Sequence, residues 1–254
     1  HRDRAKITLD AIVFHQTEDA NTALKRFRGG ELDVSYFSPV TQIQWMQENL
    51  PTEFRVHPTF RTFYLTPNFT VEPWKSNAKL RQALMLAVDR DVLAEKVTRG
   101  VDRPAWTMVP PGTGGYEPTR PEWASWTQAQ RDAEAKRLIQ EAGFGPGGQP
   151  LEIEILYQTE EIRRNVAVAI AAMWQKALGV KVVLTNSEAR VVWDRLRDRS
   201  FESLVYDSWI DRQPSRFLDL MLTAEFQNNG GYSNPAYDTL IGEAMGTPEK
   251  AQYH

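Results

Sequence analysis

The stretch YDSWIDRQPSRF, residues 206 to 217, concentrates more chemistry than any other in the 254-residue chain. On a strand, Val205, Asp207, Trp209 and Asp211 share one face, while Tyr206, Ser208 and Ile210 share the other. Two carboxylates and an indole then stand together near a strand end. Such a pair can act as general acid and base, as in glycoside hydrolysis, or as an anionic wall for a ligand cation. It can also be a structural corner, with Asp211 opening the turn before Pro214. Asp207 and Asp211, four residues apart on that face, are not spaced to flank a sugar as an inverting pair. Arg163 is a second candidate. With Arg164 it lies in the first turns of a helix that follows the strand ending at Tyr157, where α/β sheets bind ligands. An arginine there can also be structural.

Other chemistries find little support. There are no cysteines, so disulfides, thiolate metal sites and a cysteine nucleophile are excluded. Of the four histidines, two are the chain ends, and His15 and His57 lack metalloprotease spacing, so neither metal nor cofactor is expected. GFGPGG (143–148) matches G-x-G-x-x-G literally. It ends a helix and precedes a strand, the reverse of the dinucleotide context, and reads as a helix cap and turn. No G-x-S-x-G is present. The arginines of EARVVWDRLRDR (188–199) alternate with acids as on a solvated helix face. Thirty basic against 33 acidic residues leave a net charge of −3, which argues against nucleic acid as a partner. No apolar run approaches the roughly 20 residues that span a bilayer.

The elements that must position these residues follow from periodicity and punctuation. Strands are expected at 7–14, 31–37, 53–58, 60–66, 151–157, 180–186 and 201–209. Helices are expected over 18–30, from Ser38 and Pro39, from Asn77, after Asp89 and Thr127, over 160–179 and 188–199, and from Pro214. Residues 101–126 hold five prolines, three glycines and three tryptophans and form a long ordered loop. The second half alternates strand and helix, which favours an α/β sheet covered by helices. Neither an initiator methionine nor a signal peptide opens the sequence, and Thr247, Pro248 and Glu249 read as a helix start. A piece of a longer protein, with any export signal upstream, is therefore expected.

Three stretches in order carry a family resemblance. KLRQALMLAVDRDVLAEKVTRGVDRPAWTMVPPG (79–112), AEAKRLIQEAGF (133–144) and NNGGYSNPAYDTLI (228–241), with GGELDV (29–34) upstream, resemble the extracytoplasmic solute-binding proteins of ABC transporters, oligopeptide- and dipeptide-binding type. The likeness covers most of the chain. It implies an α/β, periplasmic-binding-protein-like lobe with a mixed sheet covered by helices, and a non-catalytic role. The whole of 1–254 would be one ligand-binding lobe: 1–18 a hinge-proximal crossover strand, 19–246 the lobe core, 247–254 the start of a truncated helix. Its implied partners are a peptide or other small ligand, an ABC permease and an N-terminal lobe of the same protein. The protein would be a monomer, in the periplasm or tethered outside the membrane.

In the peptide-binding members an aspartate of a Trp-x-Ala-Asp-Tyr-x-Asp/Glu-Pro-like motif pairs with the ligand's α-ammonium. Asp211 matches it, with Trp209, Ser208 and Asp207 as neighbours, and Arg163 falls where a ligand carboxylate is met. Peptide backbone is held by main-chain groups of the same stretch. Trp209 and Pro214 are two residues closer than in the family pattern, and Arg212 replaces its tyrosine. The resemblance therefore leaves sugars, opines, nickel complexes and haem open beside peptides.

Overall fold

A computed structural model describes residues 6, 8–17, 19–36 and 38–246. The chain divides into two compact units, 1–56 and 57–254.

In the first unit, α1 (Ala20–Arg28) starts at Asp19, whose carboxylate accepts the Thr22 N–H, and stops at Gly29 and Gly30. A 3-10 turn (Val40–Gln42) leads into α2 (Ile43–Asn49). Leu24, Ile43 and Met46 form a small core. The strands expected at 7–14, 31–37 and 53–58 are not formed. Residues 8–14, 31–36 and 53–58 are turns or irregular, with Ile7 and Phe37 outside the described residues. A strand needs a ladder partner, and among the described residues none is present for these segments. Their apolar side chains are correspondingly bare, Val13 at 72% and Phe14 at 92% exposure.

The second unit is built on a four-stranded sheet. Its elements are β1 (Arg61–Pro67), α3 (Ala78–Leu86), a short α4 (Arg90–Val92) running into a π turn (Leu93–Val97), α5 (Gln128–Glu141), β2 (Glu152–Gln158), α6 (Glu161–Leu178), β3 (Lys181–Ser187), α7 (Ala189–Arg197), β4 (Leu204–Ile210), α8 (Pro214–Leu218) and α9 (Pro235–Gly246). Side chains of Asn77, Asp89 and Thr127 cap the starts of α3, α4 and α5, the last with Gln130 in a reciprocal capping box. Beyond α8, the helix expected from Pro214 tightens to a 3-10 turn at Asp219–Met221. The expected helix start at 247–249 lies outside the described residues.

The strand order is β1-β4-β2-β3, with β1 antiparallel to β4 and the other pairs parallel. One face carries Ile153, Ile155, Leu204 and Tyr206, packed with Leu80 and Leu84 of α3, Ile139 of α5 and Trp174 of α6. The Trp174 indole lies within this core and donates to the Leu84 carbonyl at 2.9 Å. The other face carries Leu156 and Val205 beneath Val192 and Leu196 of α7. Burial of such side chains contributes roughly 1.5–3 kcal/mol each. The chain thus leaves β2 over one face to reach β3, then crosses the opposite face to reach β4 on the other side of β2. That reversal makes the carboxyl ends of β2 and β4 a topological switch point, where open α/β sheets bind ligands.

The proline-rich segment 101–126 wraps two arginines. Arg90 donates to the Ala105 carbonyl at 2.9 Å and stacks against Trp106 and Trp123, and Arg131 stacks against Trp106.

Candidate functional site

β4 runs beside β2 only through Leu204 and Val205, which face Ile155 and Leu156. From Tyr206 onward β4 pairs with β1 alone. Asp211 N–H donates to the Phe60 carbonyl at 3.1 Å, so odd-numbered residues of β4 bond to β1. Even-numbered residues turn their N–H and C=O toward the gap that opens beside β2. In that gap Arg163 Nη1 donates to the Tyr206 carbonyl at 3.3 Å, and the Ser208 N–H donates to Asp207 Oδ1 at 2.7 Å. Among the described residues the Ser208 carbonyl and Ile210 N–H have no protein partner. A short open strand edge therefore lies at the switch point.

Asp207 and Trp209 share the face that alternation predicts, opposite Tyr64 and Thr62 of β1. Asp207 is 4% exposed. Burial pushes its carboxyl above the usual range, against the lowering effects of the Ser208 N–H, Arg163 and the Tyr64 hydroxyl. Burial next to this acid likewise drives the Tyr64 hydroxyl far up. The Trp209 Nε1 is enclosed and, among the described residues, has no hydrogen-bond partner. Asp211 is half-buried, and its Oδ1 accepts the N–H of Arg212 at 2.7 Å and of Gln213 at 2.9 Å. It therefore makes the turn before Pro214, the structural option among its three readings, with its other oxygen left over.

Arg163 is buried on the other side of β4, above the rings of Phe63 and Tyr206. Its Nε donates to Glu160 at 2.7 Å. Arg163 and Asp207 are thus brought to one strand end but approach it from opposite faces, and each is already engaged with the main chain of β4.

Several residues of this region escape a reading of residues 206–217 alone. Tyr64 and Thr66 line a partly open cavity of about 80 Å³ together with Asp207, Leu220, Met221 and Asn228. Alternation in FRTFYLT was the available signal, since Thr62, Tyr64 and Thr66 fall on one face. The NNGGY stretch supplies the cavity's far wall. Asn228 donates to the carbonyls of Leu222 and Tyr232 and accepts the Tyr232 N–H. Gly230 approaches β1 so closely that an added Cβ would lie 2.8 Å from the Pro67 carbonyl oxygen. Asn234 caps α9 by accepting the Ala236 N–H, and Gly114 of the proline-rich loop backs the Pro214 corner, a Cβ there meeting Pro214 Cδ at 2.9 Å.

Comparison with known proteins bears on this arrangement. Residues 2–229 match the family model described as bacterial extracellular solute-binding proteins, family 5, middle. The periplasmic oligopeptide-binding protein OppA of Salmonella typhimurium is 34% identical over 98% of this chain and 46% of its own length. The periplasmic murein peptide-binding protein MppA of Escherichia coli is 32% identical over 95% of this chain and 45% of its own length. Among solved structures, OppA of Burkholderia pseudomallei superposes with a TM-score of 0.86 at 29% identity, covering 93% of this chain and 47% of that one. Haemophilus influenzae OppA in complex with the peptide RPPGFSPFR superposes at 0.84 with 29% identity, covering 92% and 46%. The chain spans about half the length of these relatives. Its α/β, periplasmic-binding-protein-like architecture, with a mixed sheet between helices, is the one the sequence resemblance implies. On the match over residues 2–229, with the ordered motifs and the sheet topology, the chain belongs to the bacterial extracellular solute-binding proteins of family 5.

Proposed function

We propose that this chain is one lobe of the substrate-binding component of an ABC importer, and that it captures an oligopeptide or dipeptide. The observation that carries the reading is the open edge of β4 beyond Val205, where the Ser208 carbonyl and Ile210 N–H await partners at the switch point. An extended peptide satisfies both by adding a strand, which binds backbone and leaves side-chain identity largely unread. The names of OppA and MppA, which bind oligopeptides and murein peptide, support the same ligand class.

Within this reading Asp211 meets the peptide's α-ammonium with the carboxylate oxygen that the turn leaves over. Trp209 closes the wall, and its unpartnered Nε1–H donates to a ligand carbonyl or a water. Arg163 uses some of its five donors to hold Glu160 and Tyr206, which leaves others for a ligand carboxylate. Further chain of the same protein supplies the facing lobe. Ligand favours the closed state because only there do both lobes touch it. The protein acts as a monomer outside the cytoplasmic membrane and delivers ligand to a permease, without chemical turnover.

Native mass spectrometry of the full-length protein tests this reading, followed by calorimetry with short peptides. A co-purified peptide mass and 1:1 binding are expected. A co-purified sugar, haem or nickel complex, or hydrolysis of the peptide during titration, overturns it.

A further inference from the structure

We propose that the cavity between β1, β4 and residues 220–230 is a subsite for a primary ammonium group on a ligand side chain, with Asp207 as its anion and Thr66 as its hydroxyl acceptor. The inference deepens the peptide reading of the same strand end and rests on it for the identity of the ligand.

Asp207 is a buried carboxylate whose hydrogen-bonding neighbours, the Ser208 N–H and the Tyr64 hydroxyl, are both neutral. Among the described residues no lysine or arginine comes within ion-pair distance of it. Arg163 lies across the strand, committed to Glu160 and the Tyr206 carbonyl. An ionised carboxylate in such a place lacks the paired charge that burial normally demands. Thr66 lines the same cavity, is 9% exposed, and its Oγ1 is enclosed with no hydrogen-bond partner. Asn228, on the far wall, already uses its side-chain amide within the 222–232 turn and adds no free group.

The cavity thus offers an acid and a hydroxyl as acceptors, and Leu220 and Met221 as apolar wall for a methylene. An ammonium carries three donors for the three oxygens of Asp207 and Thr66. A guanidinium carries five in a rigid plane, and the volume of about 80 Å³ suits the smaller group. The subsite is therefore selective for lysine-type side chains over isosteric apolar ones, in a family fold whose strand addition is otherwise indifferent to side chains.

The test pairs peptides that differ only by lysine or norleucine at one position, scanned along the peptide, with calorimetry on the full-length protein and its Asp207→Asn and Thr66→Val variants. At one position lysine should bind at least about tenfold tighter than norleucine. The preference should fall to about one in Asp207→Asn and shrink in Thr66→Val, with a far-UV circular dichroism spectrum like that of the unaltered protein reporting an intact fold. A ratio near one at every position of the unaltered protein, or a preference unchanged in Asp207→Asn, overturns the subsite and leaves peptide binding standing. If neither peptide binds, the peptide reading falls, and the subsite is decided separately with methylammonium chloride. A saturable shift of the Asp207 side-chain carboxyl carbon, absent with sodium chloride at equal ionic strength, supports it. The lack of such a shift overturns it.

Discussion

Asp211 and Asp207 show how two acids on one strand face come to opposite circumstances. Asp211 spends one oxygen on two main-chain N–H groups at the surface. Asp211→Ala should therefore cost about 0.5–2 kcal/mol of stability, as for other lost backbone caps, read by denaturant unfolding. Asp211→Asn keeps the Oδ1 acceptor and should leave stability within about 0.5 kcal/mol. In the full-length protein the same variant should weaken an amine-bearing ligand roughly ten- to a hundredfold, the worth of one charge-assisted hydrogen bond. Calorimetry that finds unchanged affinity confines Asp211 to the turn. Asp207 behaves in the opposite sense. Burial raises its folded-state value above the ordinary 3.8, so the folded chain holds this proton more tightly than the unfolded chain does. Its contribution to stability is complete below that ordinary value and is lost as pH rises through the raised one. Asp207→Asn should therefore melt at a higher temperature than the unaltered chain near neutral pH, with the gain shrinking toward about pH 3. Equal melting temperatures across that range would place a compensating charge beside Asp207. The grouping of Asp207 and Trp209 on one face was legible from alternation. The burial of Asp207 and its neighbours Tyr64 and Thr66 was not, because they depend on which strand lies alongside.

At the scale of elements, the clearest sequence signals were those with local causes. Asn77, Asp89 and Thr127 cap the helices they precede, because a cap is a contract between residues three apart. Strand-like composition at 8–14, 31–36 and 53–58 did not become strand, because β-branched and aromatic residues state a preference without naming a partner. The long loop was legible as ordered, yet its role as backing for the site was not. Gly114 adopts φ +58 and lies against Pro214 and the Arg212 carbonyl. Gly114→Ala should destabilise by about 1–3 kcal/mol, through left-handed backbone strain together with a clash. Gly115→Ala, also at positive φ but with nothing within 4 Å of the added carbon, should cost only the strain, about 1 kcal/mol. Thermal denaturation of the pair separates the two contributions. Equal losses would show that the loop does not brace the corner.

For the whole molecule, the alternation of strand and helix in the second half announced the α/β class, but not the order in which the strands lie. Nothing in β4 itself states that it sits between β1 and β2, and the crevice that defines the site exists only through that placement. The order also has a consequence for biosynthesis. Of the four described strands a ribosome delivers β1 first and β4 last, at roughly 5–20 residues per second, so β1 waits on the order of ten seconds for its neighbour. During that interval β2, α6 and β3 can close as a local unit, while β1 and the inner edge of β2 present unsatisfied ladders to any chaperone or aggregating neighbour. The last of these four strands to emerge is the one that joins β1 to β2. Completion of this sheet and the appearance of the open β4 edge are thus a single event, and a nascent chain halted before residue 210 has neither.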